Sequence, residues 1–171
     1  IFVEVALTKG TPNSIQEILL ESRDVINSGK ADTAAFYSIS NCQAGLAGIS
    51  FGNSLIKTVV QHLLRELPQI QTFVTLSPIP GLVKWLKENS LFDANANAES
   101  QRQLAAHYLL NVKGHNGQPR DPVARFHLNN GALVMAINAN ADISKNGLAQ
   151  SCGVMVNYKY DLNRISEHHE A

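Results

Sequence analysis

The strongest constraint on this chain is a long apolar stripe set between two strand-like runs. Phe51, Leu55, Val59, Leu63 and Leu67 recur at helical spacing, flanked by Ile56, Val60 and Leu64, and Pro68 ends the run. Ahead of it, "TAAFYSIS" (33–40) reads as a strand. Behind it, "IQTFVTLS" (70–77) reads as another. The connection into the helix, "NCQAGLAGISFGN" (41–53), carries Gly45, Gly48 and Gly52.

The remaining segments extend this alternation. "IFVEVALTK" reads as a first strand and "SIQEILLESR" as a short helix. "GLVKWLKE" and "SQRQLAAHYLLNV" read as helices, the second with Leu104, Tyr108 and Val112 along one stripe. "NSLFDANANAE" reads as a loop or a trimmed insertion. "VARFHLNNGA" reads as a helix closed by Asn129-Asn130-Gly131. "ALVMAIN" and "GVMVNYKY" are strands joined by "ANADISKNGLAQSC". Strands that alternate with helices and then end as a pair predict an α/β (α+β) class with a mixed sheet flanked by helices.

Composition excludes several functions. With 171 residues the chain can bury a core of its own. Fourteen basic and fourteen acidic residues cancel without a run of either sign, which argues against a nucleic-acid or polybasic membrane surface. No apolar stretch reaches the roughly 18 residues of a membrane span. Cys42 and Cys152 form neither a disulfide framework nor a metal-binding spacing, and both are expected to be buried free thiols in a reducing compartment. The chain opens on Ile1, within a strand-like run, which predicts a fragment whose first strand has partners upstream.

Three places carry candidate chemistry. The glycine connection would let backbone amides approach a phosphate at a helix start, although it lacks the GK[ST] of a P-loop and the GxGxxG pattern. In "TLSPIPG" (75–81), Ser77 precedes Pro78 and Pro80, which fix the backbone. It is either an ordinary strand terminator or an aimed hydroxyl; no GxSxG elbow surrounds it. His127 lies four residues after Val123 and beside Phe126, so it faces a core at least in part. It is either a satisfied core side chain or a general acid. No His, Cys or carboxylate grouping has metal-ligand spacing.

Together "AFYSIS", "QAGLAGISFGNSLIKTVVQHLLRELP", "FVTLSPIPGLVKWL", "DPVARFHLNNGA" and "NADISKNGLAQSCGVMVNYKY" resemble the carboxy-terminal catalytic domain of malonyl-CoA decarboxylase, in order and over the whole chain. The resemblance implies a fold like that of GCN5-related acetyltransferases. It also implies that residues 1–171 are a partial catalytic domain, without the family's helical amino-terminal domain. The implied reaction is decarboxylation of malonyl-CoA to acetyl-CoA and carbon dioxide in fatty-acid and malonate metabolism, without metal or organic cofactor. By motif, Ser77 and His127 match the family's catalytic pair, and Ala47, Gly48, Ile49, Ser50, Phe51, Gly52 and Asn53 match its coenzyme A loop. In the acetyltransferase loop pattern Ala47 and Ser50 stand where Gln/Arg and Gly are usual, and Gly52 with Leu55 fits.

Asn157 and Tyr158 are candidates for the acyl pocket, against the plainer reading of sheet residues with satisfied polar groups. The resemblance further implies homo-oligomers and a bacterial-type cytoplasmic location, or mitochondria or peroxisomes in a eukaryote. An acyl-CoA-dependent acyltransferase on the same fold and a non-catalytic CoA-binding fragment are the competing readings.

Overall fold

The computed structural model describes residues 2–21, 28–40, 51–161 and 163. Strand β1 (Phe2–Thr8) leads to α1 (Ile15–Glu21), and β2 (Thr33–Ser40) precedes α2 (Phe51–Glu66). Then follow β3 (Thr72–Thr75), β4 (Ser77–Pro78), α3 (Leu82–Glu88), α4 (Ala98–Asn111), α5 (Pro122–Asn129), β5 (Leu133–Asn138), α6 (Lys145–Ser151) and β6 (Met155–Tyr160). All six strands form one sheet. β1 and β2 are antiparallel, β2 and β3 parallel, and β6 runs antiparallel to β3, β4 and β5. The sheet is therefore mixed, as the strand and helix periods predict.

Two apolar layers cover the sheet. The larger holds Phe36, Ile56, Val60, Phe73, Ile79, Trp85, Tyr108, Leu109, Val156, Tyr158 and Tyr160, so α2, α3, α4 and α5 pack on that face. The smaller joins Ile18 of α1 to Leu76, Ala141 and Met155. The division follows from strand parity, since successive side chains point to opposite faces. Residues 156, 158 and 160 of β6 face one layer, while 155 and 157 face the other.

The strand expected over residues 70–77 is broken. Its ladder with β6 pairs Phe73 with Tyr160 and Val74 with Lys159, then resumes with Ser77 opposite Val156 and Pro78 opposite Met155. The register is conserved across the gap, but at Thr75 the Tyr158 amide of β6 bonds the side-chain hydroxyl. The Leu76 amide faces β2, donating to the Phe36 carbonyl at 2.9 Å as the Thr72 amide donates to that of Asp32. Pairing of β2 with β3 ends at Phe36 and Thr75, while β2 runs on to Ser40 with β1 alone in register.

One element escapes the periodicity. The link between the last two strands contains α6, which has no apolar stripe; its Leu148 is exposed. Its ends hold it. Ser144 Oγ accepts from the Gly147 amide at 3.0 Å, and Cys152 (φ 55°) and Gly153 (φ 81°) close it in the left-handed region. Cys152, expected to be buried, is only partly so, because it sits at this helix end rather than in a stripe. Cys42 lies outside the described residues.

Candidate active site

Ser77 and His127 come from segments fifty residues apart and meet in the larger layer. Ser77 is placed by β4, locked between the restored ladder with Val156 and the Pro78 ring. His127 is placed by α5. Asp121 caps that helix, its Oδ2 accepting from the Ala124 amide at 2.8 Å, and Pro122 occupies the first turn. Asn130 and Gly131 (φ 87°) end it, as the Asn-Asn-Gly signature predicts. His127 thus lies in the last turn, near the negative end of the helix dipole.

Ser77 Oγ and His127 Nε2 are 3.3 Å apart, and both residues are buried. Tyr160 Oη lies 2.7 Å from His127 Nδ1. A phenol O–H is the stronger donor of that pair, so Tyr160 donates to Nδ1. The imidazole then carries its proton on Nε2, facing Ser77. Tyr158 stacks on the imidazole with centroids 4.7 Å apart, while Phe126 and Tyr160 meet it edge-on at 5.0 and 5.8 Å.

This aromatic enclosure sets the electrostatics. Burial pushes the His127 pKa down to about 3, so the ring is neutral at physiological pH. Burial also raises the phenols of Tyr158 and Tyr160 above their ordinary range, with Asp121 adding to the rise at Tyr158. The Asp121 carboxyl is itself raised by burial. In the free protein the pair therefore carries no charge of its own.

The other sequence candidates are placed differently from one another. Tyr158 joins the Ser77–His127 face, and its buried Oη has no partner among the described residues. Asn157 faces the opposite layer. Its Nδ2 donates to the carbonyls of Pro12 (3.0 Å) and Thr75 (2.9 Å), and its Oδ1 accepts from Asn138 Nδ2 at 2.7 Å. Of the residues expected to hold coenzyme A, Ala47, Gly48, Ile49 and Ser50 lie outside the described residues, and Phe51, Gly52 and Asn53 form the first turn of α2. Thr75 and Tyr160 lie within the motifs "TLSPIPG" and "GVMVNYKY", but no local pattern singles them out; the sheet register brings them to the pair. Among the described residues no group of three His, Cys, Asp or Glu side chains is disposed to hold a metal, and no helix is long and apolar enough to cross a membrane.

The model of the malonyl-CoA decarboxylase C-terminal domain matches residues 1–103 and 90–171. The chain belongs to that family. The mitochondrial malonyl-CoA decarboxylase of the goose Anser anser anser is 39% identical over 209 residues, covering 95% of this chain and 41% of that protein. A malonyl-CoA decarboxylase crystal structure from Rhodopseudomonas palustris superposes with a TM-score of 0.87 at 50% identity, covering 99% of this chain and 45% of that one. The chain thus spans less than half the length of the family members it matches. The loading GNATL domain of CurA from Lyngbya majuscula aligns at a TM-score of 0.61 and 13% identity, over 95% of this chain and 70% of that one. That likeness shows the fold, which is acetyltransferase-like as the motifs imply. The goose alignment is longer than this chain's 171 residues, so the goose protein carries residues that this family member lacks. The two family matches meet at 90–103, in and just after the link from α3 to α4. Here that link is short and closed by the Leu91 amide on the Leu86 carbonyl (2.8 Å) and by Asn97 Oδ1 capping Ser100 N (2.8 Å).

Proposed function

We propose that this chain carries the site at which malonyl-CoA loses carbon dioxide to give acetyl-CoA. The observation that carries the reading is the buried, uncharged Ser77–His127 pair, its tautomer set by Tyr160, in a chain of this family. Breaking the bond between the carboxylate and the α carbon sends its electron pair into the thioester as an enolate. That charge must be stabilised, and the α carbon must then receive a proton.

Ser77 is the donor to the malonyl carboxylate. The Pro78 ring and the ladder to Val156 keep its hydroxyl still, so it can hold the carboxylate turned out of the thioester plane, the orientation in which the breaking bond overlaps the carbonyl. His127 is the acid. The incoming carboxylate brings a negative charge into an apolar site and supplies the counter-charge that an imidazolium there needs. The nearby C-terminal end of α5 favours the imidazolium as well. His127 takes up a proton at Nδ1 with the substrate, the Tyr160 hydroxyl turning there from donor to acceptor; it gives its Nε2 proton to the α carbon once carbon dioxide has left, and is neutral with its proton on Nδ1 until exchange with solvent restores the resting tautomer. A positioned acid contributes roughly 10²–10⁴-fold, and losing a group that fixes the reacting geometry costs about 10²-fold.

The coenzyme A moiety is assigned to residues 47–53, where the start of α2 offers backbone amides and the positive end of a helix dipole to phosphates. Beyond Phe36 the outer edge of β2 is free of β3, which suits an extended thioester arm running toward Ser77. Tyr158 lines the acyl end through its stacked ring.

The test is to supply malonyl-CoA alone and measure carbon dioxide and acetyl-CoA, with no amine acceptor present. His127→Ala and Ser77→Ala should each lower turnover by about 10²-fold or more while coenzyme A affinity stays within a few-fold. Near-normal turnover in either variant would remove that residue from the mechanism.

A further inference from the structure

The hydroxyl of Thr75 sits behind Ser77 at the broken point of the ladder. Thr75 is fully buried, and its Oγ1 lies 2.7 Å from Ser77 Oγ. The same oxygen accepts the Tyr158 backbone amide at 3.1 Å, the amide that would otherwise bond the main chain opposite. On the other side of the sheet the Asn157 amide holds the Thr75 carbonyl at 2.9 Å. The residue is gripped at both polar groups, so its hydroxyl has a fixed position and only its proton can turn.

A count of protons and lone pairs shows what that freedom does. In the free protein His127 Nε2–H donates to Ser77 Oγ, and Ser77 donates to Thr75 Oγ1. With its proton turned to Thr75, Ser77 has none to offer a carboxylate. We propose that Thr75 is a positioning residue whose hydroxyl reverses from acceptor to donor when substrate binds, releasing the Ser77 proton to the malonyl carboxylate. The bound state is then a single line of donors: Tyr158 N–H to Thr75, Thr75 O–H to Ser77, Ser77 O–H to the carboxylate. Each donor in such a chain polarises the next, so Ser77 becomes a stronger hydrogen-bond donor than an isolated serine. Both hydroxyl protons then have an acceptor, one lone pair of Thr75 holds the Tyr158 amide and one of Ser77 holds Thr75, and no covalent bond is made or broken. The proposal rests on the reading of Ser77 as the carboxylate donor.

The experiment compares Thr75→Val, which keeps the shape and removes the hydroxyl, with Thr75→Ser, which restores it, in the full chain. Decarboxylation of malonyl-CoA is measured as kcat and KM separately, and thermal unfolding is followed in parallel. Thr75→Val should lower kcat about tenfold or more with coenzyme A affinity little changed, and Thr75→Ser should stay within about threefold of the parent. In a Ser77→Ala background, Thr75→Val should lower kcat no further, because its effect passes through Ser77. Should Thr75→Val fail to fold, Thr75→Cys, whose thiol is a weak donor, should give an intermediate kcat. Parent-like kcat in Thr75→Val or Thr75→Cys overturns the proposal, as does an undiminished further loss in the Ser77→Ala background. Parent-like turnover in Ser77→Ala alone would instead overturn the reading of Ser77.

Discussion

Replacing His127 by Gln should flatten the acid side of the stability profile. In the unfolded chain the imidazole titrates at its ordinary value of 6.5, whereas burial holds it at about 3 in the folded protein. Between those values the unfolded state binds a proton that the folded state refuses, so folding stability falls as pH falls through that window. One pKa unit is worth about 1.4 kcal/mol, so lowering the pH from 6.5 to 4.5 should cost about 2–3 kcal/mol from this residue alone. Domains of this kind have roughly 5–15 kcal/mol in total, so the loss is visible as a shift in a urea midpoint. Gln fills similar space, retains a donor and an acceptor, and does not titrate. Other groups titrate in the same range: the carboxyls of Asp32 and Glu99 are lowered, so they lose stability in acid, whereas that of Asp121 is raised and acts in the opposite sense. These contributions are common to both proteins, and the difference between the two pH profiles isolates His127. Urea unfolding at pH 6.5, 5.5 and 4.5 measures it. Equal slopes for parent and variant would mean that the imidazole is not held neutral, and the derivation of its tautomer and proton uptake would fall with it.

Two further outcomes follow from the site and its supports. Tyr160→Phe removes the donor to His127 Nδ1, so the ring is free to take the other tautomer; kcat should fall about tenfold or more while KM changes less, and the unpaired buried nitrogen should cost about 1–3 kcal/mol by thermal unfolding. An unchanged kcat would show that Tyr160 does not set the tautomer. Gly81, the last residue of "TLSPIPG", owes its identity to packing: a Cβ there would stand 2.7 Å from Tyr108 Oη, although its φ of −100° suits any residue. Gly81→Ala should cost about 1–3 kcal/mol, and adding Tyr108→Phe should recover most of it; no recovery would mean that the hydroxyl is not the obstacle.

Most of the secondary structure was legible in the chain because helix and strand periods are local properties. The stripe from Phe51 to Leu67 had no other way to bury itself, and Asn129-Asn130-Gly131 announced the end of α5. Helix α6 was not legible, because caps and a glycine packed against Asp142 hold it rather than an apolar face. Motif likeness singled out Ser77 and His127, yet local pattern could not distinguish an aimed hydroxyl from a strand terminator.

The tertiary structure decided which groups surround that pair. Whether Asn157 or Tyr158 faces His127 depends on strand parity, and parity is fixed only when β6 takes its register against β3 and β4. The same register brings Tyr160 to the imidazole and leaves Thr75 opposite Tyr158, where a side chain does the work of the missing main-chain bond. Local periods and caps were enough for the elements other than α6 and the break at Leu76, and a family motif was enough for Ser77 and His127. The protons those residues carry were settled by partners distant in the chain, because burial and hydrogen bonding depend on what lies near in space.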